Sequence, residues 1–170
     1  MAKDTVQGDS GCTRCPLHST ANSVCLMGRG SLKAKVMIIG EAPGYREDDT
    51  GKPFQGKSGK LLDKFFTEFG VSREDMYISN TVKCRPPDNR TPKKKEVAAC
   101  ATWMDKELDE VDPRFVLLLG GTAVSAHLGG EKITQARGKF VEQNGRFYFA
   151  TFHPSAALRD PKKEKVIRAD

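Results

Sequence analysis

At 170 residues, 38% hydrophobic and 29% charged, the chain suits one globular domain with a sizeable core, and intrinsic disorder is not the default reading. No apolar run approaches the roughly 20 residues of a membrane-spanning helix, and Met1–Thr20 lacks the apolar stretch of a secretory leader, so an intracellular protein away from the membrane is expected. The net charge of +6 and pI of about 9.1 favour a polyanionic partner, because Lys and Arg release counterions as they neutralise phosphates, although a solvated basic surface would give the same balance.

Residues 1–31 are polar and carry three of the five cysteines. Lys35–Gly40 is a short apolar run ending at glycine, which predicts a buried strand. A polar loop rich in Gly and Pro is expected through Lys57, with Ser58 capping a helix over Gly59–Phe69. Leu61, Leu62, Phe65, Phe66 and Phe69 recur there at helical spacing, and Gly70 would end the helix in the left-handed region. Met76–Ser79 predicts a second strand, running into the Pro-rich loop Lys83–Pro92. Lys93–Glu110 predicts a long helix with Val97, Cys100, Ala101, Met104 and Leu108 on its inner face.

Phe115–Leu119 reads as a third buried strand, stopped by Gly120–Gly121 and followed by a short helix over Ala123–Leu128. Lys139–Glu142 and Phe147–Phe152 predict two strands around an Asn144–Gly145 hairpin turn. A charged helix begins near the C-terminus. Strands alternating with helices imply an α/β fold, a three-layer α/β/α sandwich with a central, mainly parallel sheet, and residues 1–170 read as one domain without internal repeats.

Such sheets bind ligands beyond the C-terminal ends of their strands. Four loops with unusual composition fall there: Gly40–Gly44, Asn80–Pro87, Gly120–Thr122 and His153–Ser155. Lys83, Arg85, Arg90, Lys93, Lys94 and Lys95 crowd one segment beside them, and Lys162, Lys163, Lys165 and Arg168 crowd the C-terminus. Cys12 and Cys15 form a C-x-x-C pair, while Cys84 and Cys100 flank the Pro-rich loop. Two such pairs could close a zinc site or an iron–sulfur cluster, and spacing does not separate the two; Cys25 reads as a buried small hydrophobe.

Gly51–Ser58 (GKPFQGKS) satisfies G-x-x-x-x-G-K-[ST], which makes a nucleotide hydrolase the rival from another class. The match meets the physical requirements poorly. Its approach, Pro43–Thr50, is polar rather than a strand, and Pro53 removes a backbone donor that would cradle phosphate. No nucleotide cofactor is therefore expected.

Read together, the loops resemble the uracil-DNA glycosylase superfamily, and within it the iron–sulfur branch known as family 4. Gly40–Gly44 (GEAPG) with Glu47 and Asp48, then Pro53, Phe54 and Gly56, is similar to that branch's first motif; Ser79–Pro92 is similar to its second and His153–Arg159 to its last. Cys12, Cys15, Cys84 and Cys100 fall where the branch places its cluster ligands, which makes 1–31 a cluster-binding segment. The resemblance covers about Gly11 to Pro161 and implies a [4Fe-4S] cluster, with zinc as the alternative.

The resemblance also implies roles. Phe54 would stack on an extruded uracil, which needs a flat apolar face. Asn80 would read the pyrimidine edge, its amide offering both a donor and an acceptor. Backbone groups of Gly40, Glu41 and Ala42 would fix the remaining edge, and His153 would donate to uracil O2 as the base departs. Glu41 is the expected catalytic acid beside the attacking water, with Glu47 as the possible second. Where the best-known branch has Gln-Asp-Pro-Tyr-His, the water-activating Asp is matched by Ala42 and the thymine-excluding Tyr by Gly44.

Taken singly, Phe54 reads as a core aromatic, Asn80 as a turn former and His153 as a satisfied histidine; their joint placement at one sheet edge reverses that. Arg85, Lys93 and Ser155 would contact DNA phosphates, and Leu158 and Arg159 would wedge into the duplex. The partner is uracil-containing DNA, single- or double-stranded, bound by a monomer of prokaryotic or phage-like type. The expected enzyme is monofunctional, without a lyase step. Residues 45–52 lack the histidine of the branch that cross-links itself to the abasic sugar. A glycosylase-like domain that binds DNA without cutting it is the alternative.

Overall fold

A computed structural model describes residues 4–170. Its strands are β1 (Arg29–Gly30), β2 (Val36–Gly40), β3 (Tyr77–Asn80), β4 (Phe115–Leu119), β5 (Phe140–Gln143) and β6 (Arg146–Thr151). They form one sheet in the order β1-β3-β2-β4-β6-β5. The four inner strands run parallel, and the edge strands β1 and β5 run antiparallel to their neighbours. Gly40 pairs with Asn80, and Leu119 with Thr151, so the chain leaves all four inner strands at one edge.

Side chains alternate across a strand, and β2 shows the consequence. Met37 and Ile39 join a core layer with Met104, Leu108 and Val111 of α3 (Lys94–Val111) and Ala123 and Val124 of α4 (Gly121–His127). Ile38 faces the opposite layer, with Leu62 and Phe66 of α2 (Lys57–Glu68) and with Phe54. Two cores on opposite faces of one sheet make the expected three layers. Each fully buried Leu, Ile or Phe contributes about 1.5–3 kcal/mol.

The predicted turns hold where glycine chemistry specified them. Gly70 stands at φ +66° after α2, with Val71 N–H closing on Phe66 O at 2.9 Å. Asn144 and Gly145, at φ +53° and +74°, form the left-handed pair that a tight β5–β6 hairpin requires.

Other expectations change. The segment read as loop contains α1 (Tyr45–Thr50), which forms because Glu47 in its first turn reaches back to the Gly44 N–H at 3.0 Å. Gly56, not Ser58, caps α2. The two-residue β1 and the four-residue α5 (Ile133–Ala136) are too short for any periodicity to reveal. On α3, Ala101 is exposed, whereas Glu96 and Glu107 are buried. Lys83, counted with the basic segment, is wholly buried. Helices α6 (Pro154–Arg159) and α7 (Lys162–Ala169) complete the chain, with Arg168 of α7 paired to Glu68 of α2. Among the described residues no helix is long and apolar enough to cross a membrane.

The buried Glu96 is satisfied by Arg90 through two hydrogen bonds of 2.7 and 2.9 Å, and by the Lys93 N–H at 2.7 Å. The Arg90 guanidinium holds its carboxyl down at about 2, well below the usual value of 4.5. A depressed folded pKa contributes stability that is present above the unfolded value and lost as pH falls through the folded one. Wild type should therefore melt above Glu96→Gln near pH 6, and the gap between their Tm values should close as pH falls from about 4.5 to about 2.

Candidate active site

The four loops meet in a cleft of about 430 Å³ at the C-terminal edge of the inner strands. Glu41, Ala42, Glu47, Phe54, Asn80, His153, Ser155 and Arg159 line it, whereas Gly40, Arg85, Lys93 and Leu158 of the residues read from sequence do not.

Close approach at the floor depends on Gly40. A Cβ there would lie 2.6 Å from both Asn80 Oδ1 and Phe54 Cζ. Asn80 is 3% exposed, and its side-chain amide has no hydrogen-bond partner among the described residues. Its donor and acceptor are therefore available to a ligand. Phe54 stands at φ +52°, a left-handed backbone that an aromatic residue avoids unless its surroundings impose it. Two devices impose it. Arg73 donates to the Pro53 and Phe54 carbonyls at 2.6 and 3.1 Å. Gly59 of α2 lets the helix close on the Phe54 carbonyl, where a Cβ would stand only 1.8 Å away.

His153 stacks on Phe54 with ring centroids 5.7 Å apart. Burial, helped by the positive charge of Arg159 and opposed by Glu47, pushes its pKa down to about 4. The imidazole is then neutral at pH 7. The Ser155 backbone N–H donates to Nδ1 at 3.0 Å, which places the proton on Nε2 and makes that atom a donor. The His-Pro-Ser order builds this tautomer, because His153 caps α6 with Pro154 in its first turn.

The two acids differ in use. Glu41 accepts a hydrogen bond from the Thr122 hydroxyl. Glu47 braces the loops, accepting the N–H groups of Gly44, Gln55 and Gly56 at 3.0, 2.8 and 2.9 Å. That brace also answers the phosphate-loop match. A carboxylate already holds two of the backbone donors in Gly51–Ser58, and the segment follows α1 rather than a strand. Thr122 and Arg73 escaped the sequence reading. Thr122 lay in a loop marked as ligand-facing, but nothing local tied it to Glu41.

At the rim, Arg85 lies 5.3 Å over the Tyr45 ring and donates to Asn89 Oδ1 at 2.7 Å. Lys93 and Arg159 are exposed, Ser155 is half-buried, and Leu158 is 49% exposed at the end of α6. Arg90, by contrast, is committed to Glu96.

Cys12, Cys15, Cys84 and Cys100 line a second, narrow cavity between the N-terminal segment and α3, and all are free thiols. Among the described residues no three His, Cys, Asp or Glu groups converge as for a single metal ion. Four thiols around one cavity are a donor set that suits an iron–sulfur cluster or zinc. Trp103 Nε1–H donates to Cys12 at 3.3 Å, Lys83 N–H to Cys100 at 3.3 Å and Cys25 N–H to Cys84 at 3.4 Å. Donors aimed at sulfur suit ligands that carry negative charge. Burial, with a smaller contribution from the neighbouring cysteines, pushes the Cys84 thiol up to about 11 and the Cys100 thiol up to about 12, so a bound centre must displace their protons. Cys25 is buried beside the site, as expected of a small hydrophobe.

The chain belongs to the uracil-DNA glycosylase superfamily: the sequence model of the Uracil DNA glycosylase superfamily matches residues 27–169. Among curated proteins it is similar to type-4 members. It is 43% identical over 156 residues to the Type-4 uracil-DNA glycosylase of Thermotoga maritima, covering 90% of this chain and 81% of that one. It is 40% identical over 169 residues to the Type-4 uracil-DNA glycosylase of Saccharolobus solfataricus, covering 94% and 78%. It is also 34% identical over 146 residues to the DNA polymerase of Bacillus phage SP01, covering 85% of this chain and 16% of the polymerase.

Proposed function

We infer that the chain is a uracil-DNA glycosylase that hydrolyses the N-glycosidic bond of deoxyuridine in DNA, releasing uracil and leaving an abasic site. The observation that carries this reading is the shared cleft of an unpartnered Asn80 amide and a neutral His153 whose Nε2 carries the proton.

Uracil extruded from the stack would lie against Phe54, and Asn80 would pair with N3–H and O4, where cytosine presents the opposite pattern. The Gly40–Ala42 backbone would meet the remaining edge. His153 Nε2–H would then donate to O2 as negative charge gathers there, leaving a cation-like sugar for water to attack. Glu41, oriented by Thr122, is the group assigned to that water or cation. The Glu47 carboxylate is engaged by three backbone donors, which makes it the weaker candidate. Arg85, Lys93, Ser155 and Arg159 would hold phosphates beside the cleft, with Leu158 as the wedge. No lyase step is part of this reading.

The direct test is uracil release from a uracil-containing oligonucleotide, with Asn80→Ala as the inactive control. Folded wild type that bound DNA in a salt-sensitive way but released no base would identify a binding module instead. For the acid, Glu41→Gln should lower kcat by about 10²-fold or more, and Thr122→Val should lower it by about tenfold with little change in KM, as losing one hydrogen bond to a charged group implies. Full activity in Glu41→Gln would move the role to another group.

The four cysteines would hold a [4Fe-4S] cluster. When bound, it would act as a cross-link between the N-terminal segment and α3, with no part in bond cleavage. Purified protein should show iron, sulfide and visible charge-transfer absorbance, and stripping the centre should lower Tm by roughly 10 °C or more. Colourless protein containing zinc would assign zinc. A DNA substrate and four cysteines available as ligands support an intracellular location.

A further inference from the structure

Lys83 and Glu107 lie beneath the sheet edge with side chains 1% and 0% exposed, paired at 2.5 Å. A buried ion pair is weak evidence for stability, because desolvating two charges costs about as much as their attraction returns. What is informative is where the hydrogen bonds go. The Lys83 ammonium donates to Glu107, to the Ser79 hydroxyl at 2.7 Å and to the Asn80 carbonyl at 2.7 Å. Asn80 is the last residue of β3, so this ammonium holds the peptide from which the cleft-facing amide projects.

The other end of the network reaches the cysteine-bearing segment. Glu107 accepts the Gly28 N–H at 2.6 Å, the Ser79 hydroxyl at 2.6 Å and the Tyr77 hydroxyl at 3.1 Å. Tyr77 in turn accepts the Val6 N–H at 3.2 Å. The Lys83 backbone donates to Cys100 Sγ at 3.3 Å and accepts from the Leu26 N–H at 2.7 Å. Lys83 also lines the cavity of the four cysteines and precedes Cys84. One residue therefore touches both the cysteine cavity and the Asn80 peptide.

We propose that Lys83, with Glu107, is a positioning residue for base recognition, fastening the Asn80 peptide to the cysteine-held segment so that the amide is aimed at uracil. The proposal rests on the reading of Asn80 as the uracil-contacting residue. It assigns Lys83 no contact with DNA and no proton transfer.

The test uses full-length, metal-loaded protein. Lys83→Met combined with Glu107→Gln removes both charges at similar volume and keeps an acceptor for the Gly28 N–H. Its readouts are metal content, Tm, and the preference in Kd for DNA carrying uncleavable 2′-fluoro-2′-deoxyuridine over the same DNA carrying deoxycytidine. The expected result is unchanged metal content and unchanged affinity for the deoxycytidine strand, with uracil preference reduced about tenfold, as for a slightly misplaced recognition group. A purely structural pair would lower Tm and leave the preference intact, and a folded double variant within twofold of wild-type preference overturns the proposal.

Asn80→Ala is measured in parallel. If it keeps the preference, the reading of Asn80 fails; if it loses the preference while the double variant keeps it, only the Lys83 assignment fails. Should the double variant not fold, Glu107→Gln alone keeps one side-chain carbonyl to accept the Gly28 N–H and replaces the oxygen that holds Lys83 with an NH2 group, which cannot accept from the ammonium. A loss of about threefold in preference is expected from it, and no loss overturns the proposal.

Discussion

His153→Ala is expected to lower the single-turnover rate of uracil release by about 10²–10³-fold, the loss typical of one preorganised donor aimed at developing negative charge. Binding of the uncleavable uracil strand should change far less, because that charge exists only as the bond breaks. The pH profile of wild type carries the sharper prediction. Burial holds the imidazole neutral, with a pKa near 4 rather than 6.5. Rate should stay level from pH 8 down through 6.5 and fall only as pH approaches about 4. An inflection near 6.5 that disappears in His153→Ala would overturn the neutral-donor assignment. The same depression contributes stability that is full above the unfolded pKa and lost as pH falls towards about 4, since the unfolded chain binds the proton more tightly.

Gly40→Ala is expected to cost about 10²-fold in kcat/KM, measured on a uracil-containing oligonucleotide, with only a modest change in Tm. The backbone conformation is not the reason, as Gly40 lies in β2. The reason is space: the new methyl would stand 2.6 Å from the Asn80 amide oxygen and from the Phe54 ring, so both side chains must shift. A displacement of about 1 Å at a reacting site can cost that factor, whereas overpacking by one methyl costs about 1–3 kcal/mol of stability. The ratio separates the two effects. If Tm collapsed while the surviving protein kept normal kcat/KM, Gly40 would be a packing residue only.

Much of this molecule was legible before folding was considered. Val36–Gly40 and Phe115–Leu119 are apolar runs closed by glycine, and they are inner parallel strands. Asn144–Gly145 marked a hairpin that both positive φ values bear out. Phe54, Asn80 and His153 were placed at one sheet edge, and one cleft contains them. These signals are local: strand length, turn chemistry and loop position depend on neighbours in sequence.

The errors share a cause. Lys83 stands in a basic run and its burial is not legible there, because a charged residue reads as solvent-facing until its partner is known, and Glu107 is 24 residues away. Glu47 read as a free acid until its three backbone donors were in place. The same holds for Thr122 on Glu41 and Arg73 on the Phe54 carbonyl, contacts spanning 81 and 19 residues. By itself the sequence determined the sheet, the loops that face a ligand and the four-cysteine pattern, since each follows from local periodicity and spacing. Only the tertiary structure decided which charges are buried, which nitrogen of His153 carries the proton and which carboxylates backbone donors engage, because burial and hydrogen-bond partners depend on segments that the chain brings together only when folded.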